Sequence, residues 1–238
     1  MTTDEDAAPY VTWDAHDARV EDALREAEMG DLQLVYNSSN YVFLTRLSHP
    51  VLGEGAGIYK PRRGENPLRD FPDGLYEREI AAFELSRLLG WDLVPPTVEV
   101  NGPHGVGSMQ LFIAHDPQQH YFWLRERDDY DEQLVRVALF DLVTNNADRK
   151  GSHILLDPDG HLWGIDQGLC FHAHQKLRTV VWDYAGTGIP RAWLDDLARV
   201  AALLESEDPA AVEATLALRV RIADRERAAL VRRCRDVL

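Results

Sequence analysis

The sequence predicts an α+β protein of two lobes, a small β-rich lobe followed by a mainly helical one. Three observations carry this. Residues 30–113 read as strand–strand–strand–helix–strand–strand. Residues 131–145, and most of the chain after residue 190, carry helical periodicity. Between the helical stretches lies a short hairpin pattern with an aspartate on each side, Asp148 and Asp166.

Taken in order, residues 1–15 read as a loose tail and 18–29 as a short helix that Gly30 can end, because glycine adopts the left-handed cap conformation readily. Two β-rich runs, 32–36 and 41–47, flank Asn37-Ser38-Ser39-Asn40, a hairpin signal. A third strand over 57–60 stops at Pro61, and the polar, Gly- and Pro-containing stretch 62–72 is a loop. Residues 75–89 form an amphipathic helix, with Ile80, Phe83 and Leu88 near one face and Gly90 as its stop. Strands over 97–100 and 108–113 are separated by Asn101-Gly102-Pro103. The lobes should divide near 114–118, giving a tail and helix over 1–29, a first lobe over 30–113 and a second over 114–238. A helix over 131–145 runs into the polar loop NNADRKGSH, and Asp157-Pro158-Asp159-Gly160 turns the hairpin. After the segment 171–190, helices over 190–205, 209–216 and 219–238 close the chain.

Composition narrows the function classes. The 238 residues, 45% apolar, support a real core. A net charge of −15 argues against a non-specific nucleic-acid surface and against adsorption to anionic lipid. No apolar run approaches the ~20 residues of a membrane span. The N-terminus MTTDEDAAPY is acidic and lacks a signal-peptide core. With only Cys170 and Cys234, a disulfide framework is not expected, and a reducing cytoplasm fits. Arginine outnumbers lysine 22 to three, the lysines being Lys60, Lys150 and Lys176. A GC-rich genome accounts for such a bias; where lysine survives it, a compact ammonium suits the site better than a planar fork.

The chemistry concentrates in Asp141 to Phe171, DLVTNNADRKGSHILLDPDGHLWGIDQGLCF. A hairpin between Asp148 and Asp166 can bring both carboxylates to one end. Two carboxylates in one site suit Mg²⁺ and phosphate chemistry, because hard cations take oxygen ligands.

Asn146-Ala147-Asp148-Arg149-Lys150-Gly151-Ser152-His153, then Ile165-Asp166-Gln167-Gly168, resembles the N-x-D-R-x-x-x-N and I-D-x-G pattern of the kinases related to phosphatidylinositol 3- and 4-kinases. The type II phosphatidylinositol 4-kinases and the HipA-like bacterial kinases look most similar. The DRK-G-x-H and KLRTV-W stretches are similar to an actinobacterial subgroup of PI3/PI4-kinase-related proteins. The resemblance implies a bilobed protein-kinase-like fold that uses ATP with Mg²⁺ or Mn²⁺. It makes Asp148 the catalytic aspartate and Asp166 the metal aspartate, with Lys150 stabilising the transferred phosphoryl group and Arg149 supporting the loop. His153 stands where the family has a metal-binding Asn. It implies metal ligation, phosphate contact or a lost metal site, beside the plainer reading of a packed, hydrogen-bonded histidine.

Further correspondences follow in the first lobe. Lys60 ends the third strand, where kinases hold the α- and β-phosphates. Glu77, Glu79 and Glu84 compete to pair with it, and Glu79 matches the family's E-x-A-A-aromatic pattern. The turn containing Ser38 and Ser39 takes the place of a glycine-rich loop, either capping phosphate or serving as an ordinary hairpin turn. Gln110, Phe112 and Ile113 lie on the strand entering the adenine-binding hinge. Residues 171–190 become the activation-type segment, where Lys176, Arg178, Trp182 and Asp183 could order the loop or meet an anionic substrate.

The expected function is an ATP- and metal-dependent phosphotransferase acting on a protein hydroxyl or a small polar acceptor. A phosphoinositide acceptor ranks third, because basic and membrane-inserting features are missing. The main alternative is a nucleotide-binding pseudokinase without turnover, favoured by His153 and the absent glycine loop. A zinc-binding module would rest on His153, His161, His172 and His174, without a cysteine pair or a recognised spacing. Cys170 reads as buried and inert.

Overall fold

Five antiparallel strands build the first lobe in the computed structural model, which describes residues 10–36 and 39–238. Helix α1 (Val20–Glu26) leads into β1 (Glu28–Leu34), β2 (Phe43–His49) and β3 (Gly53–Pro61). Helix α2 (Leu75–Leu89), β4 (Thr97–Gly102) and β5 (Gly105–Leu111) complete the lobe. The sheet order is β1-β2-β3-β5-β4, so β3 is central and Lys60 pairs with Ser108 of β5.

The N-terminal stretch differs from the sequence expectation. The helix ends at Glu26, and Ala27 turns extended at ψ 141°. Met29 and Gly30 belong to β1, where Glu28 pairs with Ser48 and Met29 with Leu47. Cross-strand pairing overrides the helical propensity of the run. Nor is the stretch before α1 loose throughout. Trp13 is buried, and its indole N–H donates to the Glu54 carbonyl at 3.0 Å. Gly55 makes room for it, since a Cβ there would lie 2.4 Å from the indole ring.

Helix α2 spans the residues the periodicity predicts. Gly90 caps its C-terminus at φ 71°, a conformation glycine adopts without steric penalty. Buried Ala81 and Ala82 join Phe83, Leu85 and Leu89 in a core shared with the second lobe. A buried ion pair fixes the same helix to the C-terminal helix: Arg78 Nη2 lies 2.6 Å from Glu226 Oε1.

The second lobe contains α3 (Tyr121–Leu124), α4 (Asp131–Thr144) and the hairpin β6 (Ile154–Leu156)–β7 (Leu162–Gly164). Helices α5 (Arg191–Glu205), α6 (Pro209–Ala214), α7 (Leu216–Arg219) and α8 (Asp224–Asp236) follow. The last two expected helices are therefore shorter, and a break at Thr215 divides α6 from α7. Leu155 and Trp163 of the hairpin join the core of the first lobe with Tyr59, Met109 and Leu111. The hairpin is thus packed directly beneath the sheet that carries Lys60. Both cysteines are buried and unbonded. Among the described residues no helix is long and apolar enough to cross a membrane.

Candidate active site

Two compartments meet between the lobes at Lys60, His153 and Asp166. One, of about 260 Å³, is bounded by Val35, Val42, Ile58, Leu155 and Ile165. The other, of about 270 Å³, is lined by Glu79, Asp148, Lys150 and Ser152 among others. An apolar slot beside a charged chamber suits a ligand with a flat base at one end and phosphates at the other.

Lys60 is the hinge point of the charge pattern. Its Nζ lies 2.5 Å from Glu79 Oε1 and 3.1 Å from Asp166 Oδ1. Glu79 is buried, and its other oxygen accepts the Gln167 N–H at 2.9 Å. The competing acids are engaged elsewhere: Glu77 with Arg221 at 2.6 Å and Glu84 with Arg87 at 2.5 Å. Burial opposes the Lys60 charge, but Glu79 and then Asp166 outweigh it and raise its pKa.

Asp166 sits in the left-handed region at φ 59°, which Asp tolerates better than most residues. Lys60 holds its carboxyl below the usual carboxylate range against the opposing effect of burial. Its Oδ2 lies 3.2 Å from His153 Nε2. Burial pushes the His153 imidazole down to about 4, so the ring is neutral at physiological pH. His153 Nδ1 accepts the Lys150 N–H at 3.4 Å, which leaves the proton on Nε2, facing Asp166.

Asp148 lines the same chamber, with its N–H donating to Asn146 Oδ1 at 2.9 Å. Lys150 Nζ stands 3.0 Å from one carboxylate oxygen and Arg178 Nη2 stands 3.1 Å from the other. The loop beneath is held by a residue the sequence reading did not single out. Asp141, fully buried on α4, takes Arg149 through Nε at 3.0 Å and Nη2 at 2.8 Å. It also accepts from Asn146 Nδ2 at 3.1 Å and from Thr179 Oγ1 at 2.9 Å. Arg149 donates onward to the Ile165 carbonyl at 2.9 Å, tying the Asp148 loop to the strand before Asp166. The available signal was an acid on the apolar face of α4, four residues after Val137 and one after Phe140.

β5 ends at Leu111, two residues short of the expected strand end, and the backbone that follows it into the lobe junction is already bonded. The Phe112 N–H donates to Ala56 at 3.1 Å, and its carbonyl accepts the Thr12 hydroxyl. The Ile113 carbonyl lies 2.8 Å from His115 Nδ1. Gln110 is buried and donates its amide to Thr97 Oγ1 at 2.9 Å. Ser39 lines the charged chamber, whereas Ser38 lies outside the described residues. His161 contacts the Asp92 carbonyl at 2.7 Å, and His172 and His174 lie beside one another in the 171–190 segment. Among the described residues no three His, Cys, Asp or Glu side chains gather to hold a metal unaided. A divalent ion carried by nucleotide phosphates requires only one or two protein ligands, and Asp166 and His153 are the two such side chains in contact in the cleft.

The family profile for phosphatidylinositol 3- and 4-kinase matches residues 88–190. Protein Rv2133c of Mycobacterium tuberculosis (strain ATCC 25618 / H37Rv) is 38% identical over 251 residues, covering 90% of this chain and 87% of that protein. Phosphatidylinositol 4-kinase gamma 4 of Oryza sativa subsp. japonica is 28% identical over 151 residues, covering 57% of this chain and 26% of the plant protein. In three dimensions the chain is similar to a hydra Fam20 structure described with sugar. The TM-score is 0.53 at 16% identity, over 92% of this chain and 86% of that one, a likeness of fold.

Proposed function

The chain belongs to the family of Protein Rv2133c, within the phosphatidylinositol 3- and 4-kinase-like group, and from that premise we propose that it is an ATP- and divalent-metal-dependent phosphotransferase acting on an alcohol. The acceptor is a protein hydroxyl or a small polar molecule. The observation that carries the reading is the position of Lys60, paired with both Glu79 and Asp166 in a cleft that Asp148 also lines.

In this reading the apolar compartment takes adenine and Lys60 takes the α- and β-phosphates, with Glu79 setting its direction. Ser39, which lines the charged chamber, meets the phosphates, as Ser38 would by its place next to it in the sequence. Adenine pairs along Gln110, Phe112 and Ile113, at and just beyond the end of β5. Since both backbone groups of Phe112 are engaged, pairing there displaces Thr12 or Ala56. Asp148 orients the acceptor hydroxyl and takes its proton, while Lys150 meets the transferred phosphoryl group. Asp166 and His153 would hold the divalent ion, whose chemistry is to neutralise phosphate charge. Coordination by His153 through Nε2 requires the other tautomer, with the Lys150 N–H released.

The test is to incubate pure protein with γ-labelled ATP and Mg²⁺ or Mn²⁺, read label by intact mass, and follow thermal stabilisation in the same samples. ATP should stabilise the wild type more with Mn²⁺ than with Mg²⁺, because Mn²⁺ tolerates a nitrogen ligand. Asp166→Asn should abolish metal-dependent stabilisation, and Asp148→Asn should retain it while losing phosphotransfer. No stabilisation with either ion would refute the reading. A second reading, nucleotide binding without turnover, is favoured by Lys150 and Arg178 occupying both oxygens of Asp148. Stabilisation without label on any acceptor would select it.

A further inference from the structure

The surface around Asp148 indicates what the acceptor carries. In a chain of net charge −15, Lys150 lines the chamber, Arg178 pairs with Asp148 at its wall, and Lys176 lies two residues before Arg178. Lys176 is spoken for by Asp70 at 2.6 Å. Lys150 and Arg178 share the single carboxylate of Asp148, and their side chains remain 59% and 76% exposed. At Asp148 itself two exposed cations face one carboxylate, so the balance beside the reacting position is locally positive, while Glu79 and Asp166 share Lys60 in the chamber behind it.

The segment bearing Arg178 has a second face. Arg178 is fixed by its backbone to the Asp148 loop, its N–H donating to Asn146 at 2.8 Å and its carbonyl accepting from Arg149 at 3.0 Å. Its neighbours Leu177 and Thr179 instead line an apolar groove against Val135, Leu139 and Leu142 of α4. Alternation of side-chain direction along extended backbone puts cleft and groove one residue apart. Trp182 and Leu142, 58% and 39% exposed, stand at the groove, which holds about 230 Å³. That is below the range of about 300–1,000 Å³ for sites that enclose a whole small molecule. It suits a single anchoring side chain.

We propose that the acceptor is an acidic polypeptide segment, with a carboxylate beside the reacting hydroxyl met by Arg178 and an apolar residue further along seated between α4 and residues 177–189. This deepens the phosphotransferase reading and rests on it. Charge complementarity decides the occupant: a basic peptide would place like charge against Arg178 and Lys150, and a small anion would leave the groove unused.

The test uses the full chain, γ-labelled ATP, a divalent ion and a serine-centred peptide library scanned with Glu, Lys and Leu at each flanking position. Glu beside the serine should raise labelling about tenfold over Lys, a size expected for a charge-assisted contact. Leu several residues away should add to it. Arg178→Glu should reverse the Glu-over-Lys order, a change that mere loss of folding cannot produce. Leu142→Asp should remove the gain from Leu and keep the Glu-over-Lys order. A Lys preference, no preference, or an unchanged order in Arg178→Glu overturns the inference. So does labelling of inositol or glycerol phosphates in place of every peptide. Stabilisation by ATP is read in the same samples: with it intact and no peptide labelled, this inference alone fails; without it, the phosphotransferase reading fails first.

Discussion

Replacing Glu79 by Gln isolates one charge at the centre of the cleft. Gln keeps the shape of the side chain and can still accept the Gln167 N–H, which lies 2.9 Å from Oε2. What is lost is the carboxylate 2.5 Å from Lys60 Nζ, in a residue 3% exposed. Removing one partner of a buried pair costs about 3–5 kcal/mol, because the other charge stays desolvated. Lys60 retains Asp166 at 3.1 Å, and the Asp166 side chain is 48% exposed, so the remaining compensation is partial. The expected loss is therefore about 3 kcal/mol, the bottom of that range. Glu84→Gln is the matched control on the same helix: its partner Arg87 is 53% exposed and three residues away, which limits the expected loss to about 1 kcal/mol.

Urea denaturation at unchanged m-value measures both. A cycle with Lys60→Met should give a coupling of about 1 kcal/mol or more between Lys60 and Glu79. In Glu79→Gln the Lys60 ammonium is left to follow Asp166 and loses its direction toward a bound phosphate. ATP-dependent labelling should then fall about a hundredfold, the scale of a misplacement near 1 Å. Equal stability losses in Glu79→Gln and Glu84→Gln, with no coupling in the cycle, would refute this account of the cleft.

Asp141→Asn should destabilise by about 3–5 kcal/mol, since it strands the fully buried Arg149 guanidinium; chemical denaturation reads it directly. His153, whose pKa falls from 6.5 to about 4 on folding, stays neutral while the unfolded chain takes up a proton first. Its contribution is fully present above about pH 6.5 and is lost as pH falls toward 4, by about 3 kcal/mol in all, and His153→Asn should flatten that part of the stability–pH curve. Trp13→Ala should cost about 3–5 kcal/mol in the same assay, which a loose tail would not.

Legibility followed the range of the interactions. Helix α2 could be placed from sequence because its apolar spacing and Gly90 are local signals. Turn residues likewise marked the β6–β7 hairpin. Helix α1 came out too long because what ends it is remote: Met29 is drawn into the sheet by Leu47. Charge alone did not separate three glutamates in one helix; the E-x-A-A-aromatic pattern favoured Glu79, and the crossing of α2 over β3 puts it on Lys60. Arg178 reaches Asp148 through a partner 30 residues away, with no periodicity to announce it. Asp141 left a trace in being an acid on an apolar helix face, a position where a buried acid requires a buried partner.

The contacts of Asp166 come from different lobes, and that asymmetry has consequences. Lys60 approaches from β3 of the first lobe, while His153 approaches from the loop that leads into β6 of the second. Arg149 binds both the His153 and the Ile165 carbonyls, at 3.2 and 2.9 Å, so the His153 and Asp166 backbones are braced together. Opening of the cleft would stretch the Lys60 contact and leave the His153 contact in place. Glu79 belongs to α2, which packs against β4 and β5 of the first lobe and is tied by the Arg78–Glu226 pair to the second. Its contact with Lys60 is therefore held within the first lobe, and the contact that spans the lobes is the one from Lys60 to Asp166. Asp166 parted from Lys60 would lose the charge that holds its carboxyl low, so this ion pair favours the closed arrangement until another cation replaces the ammonium.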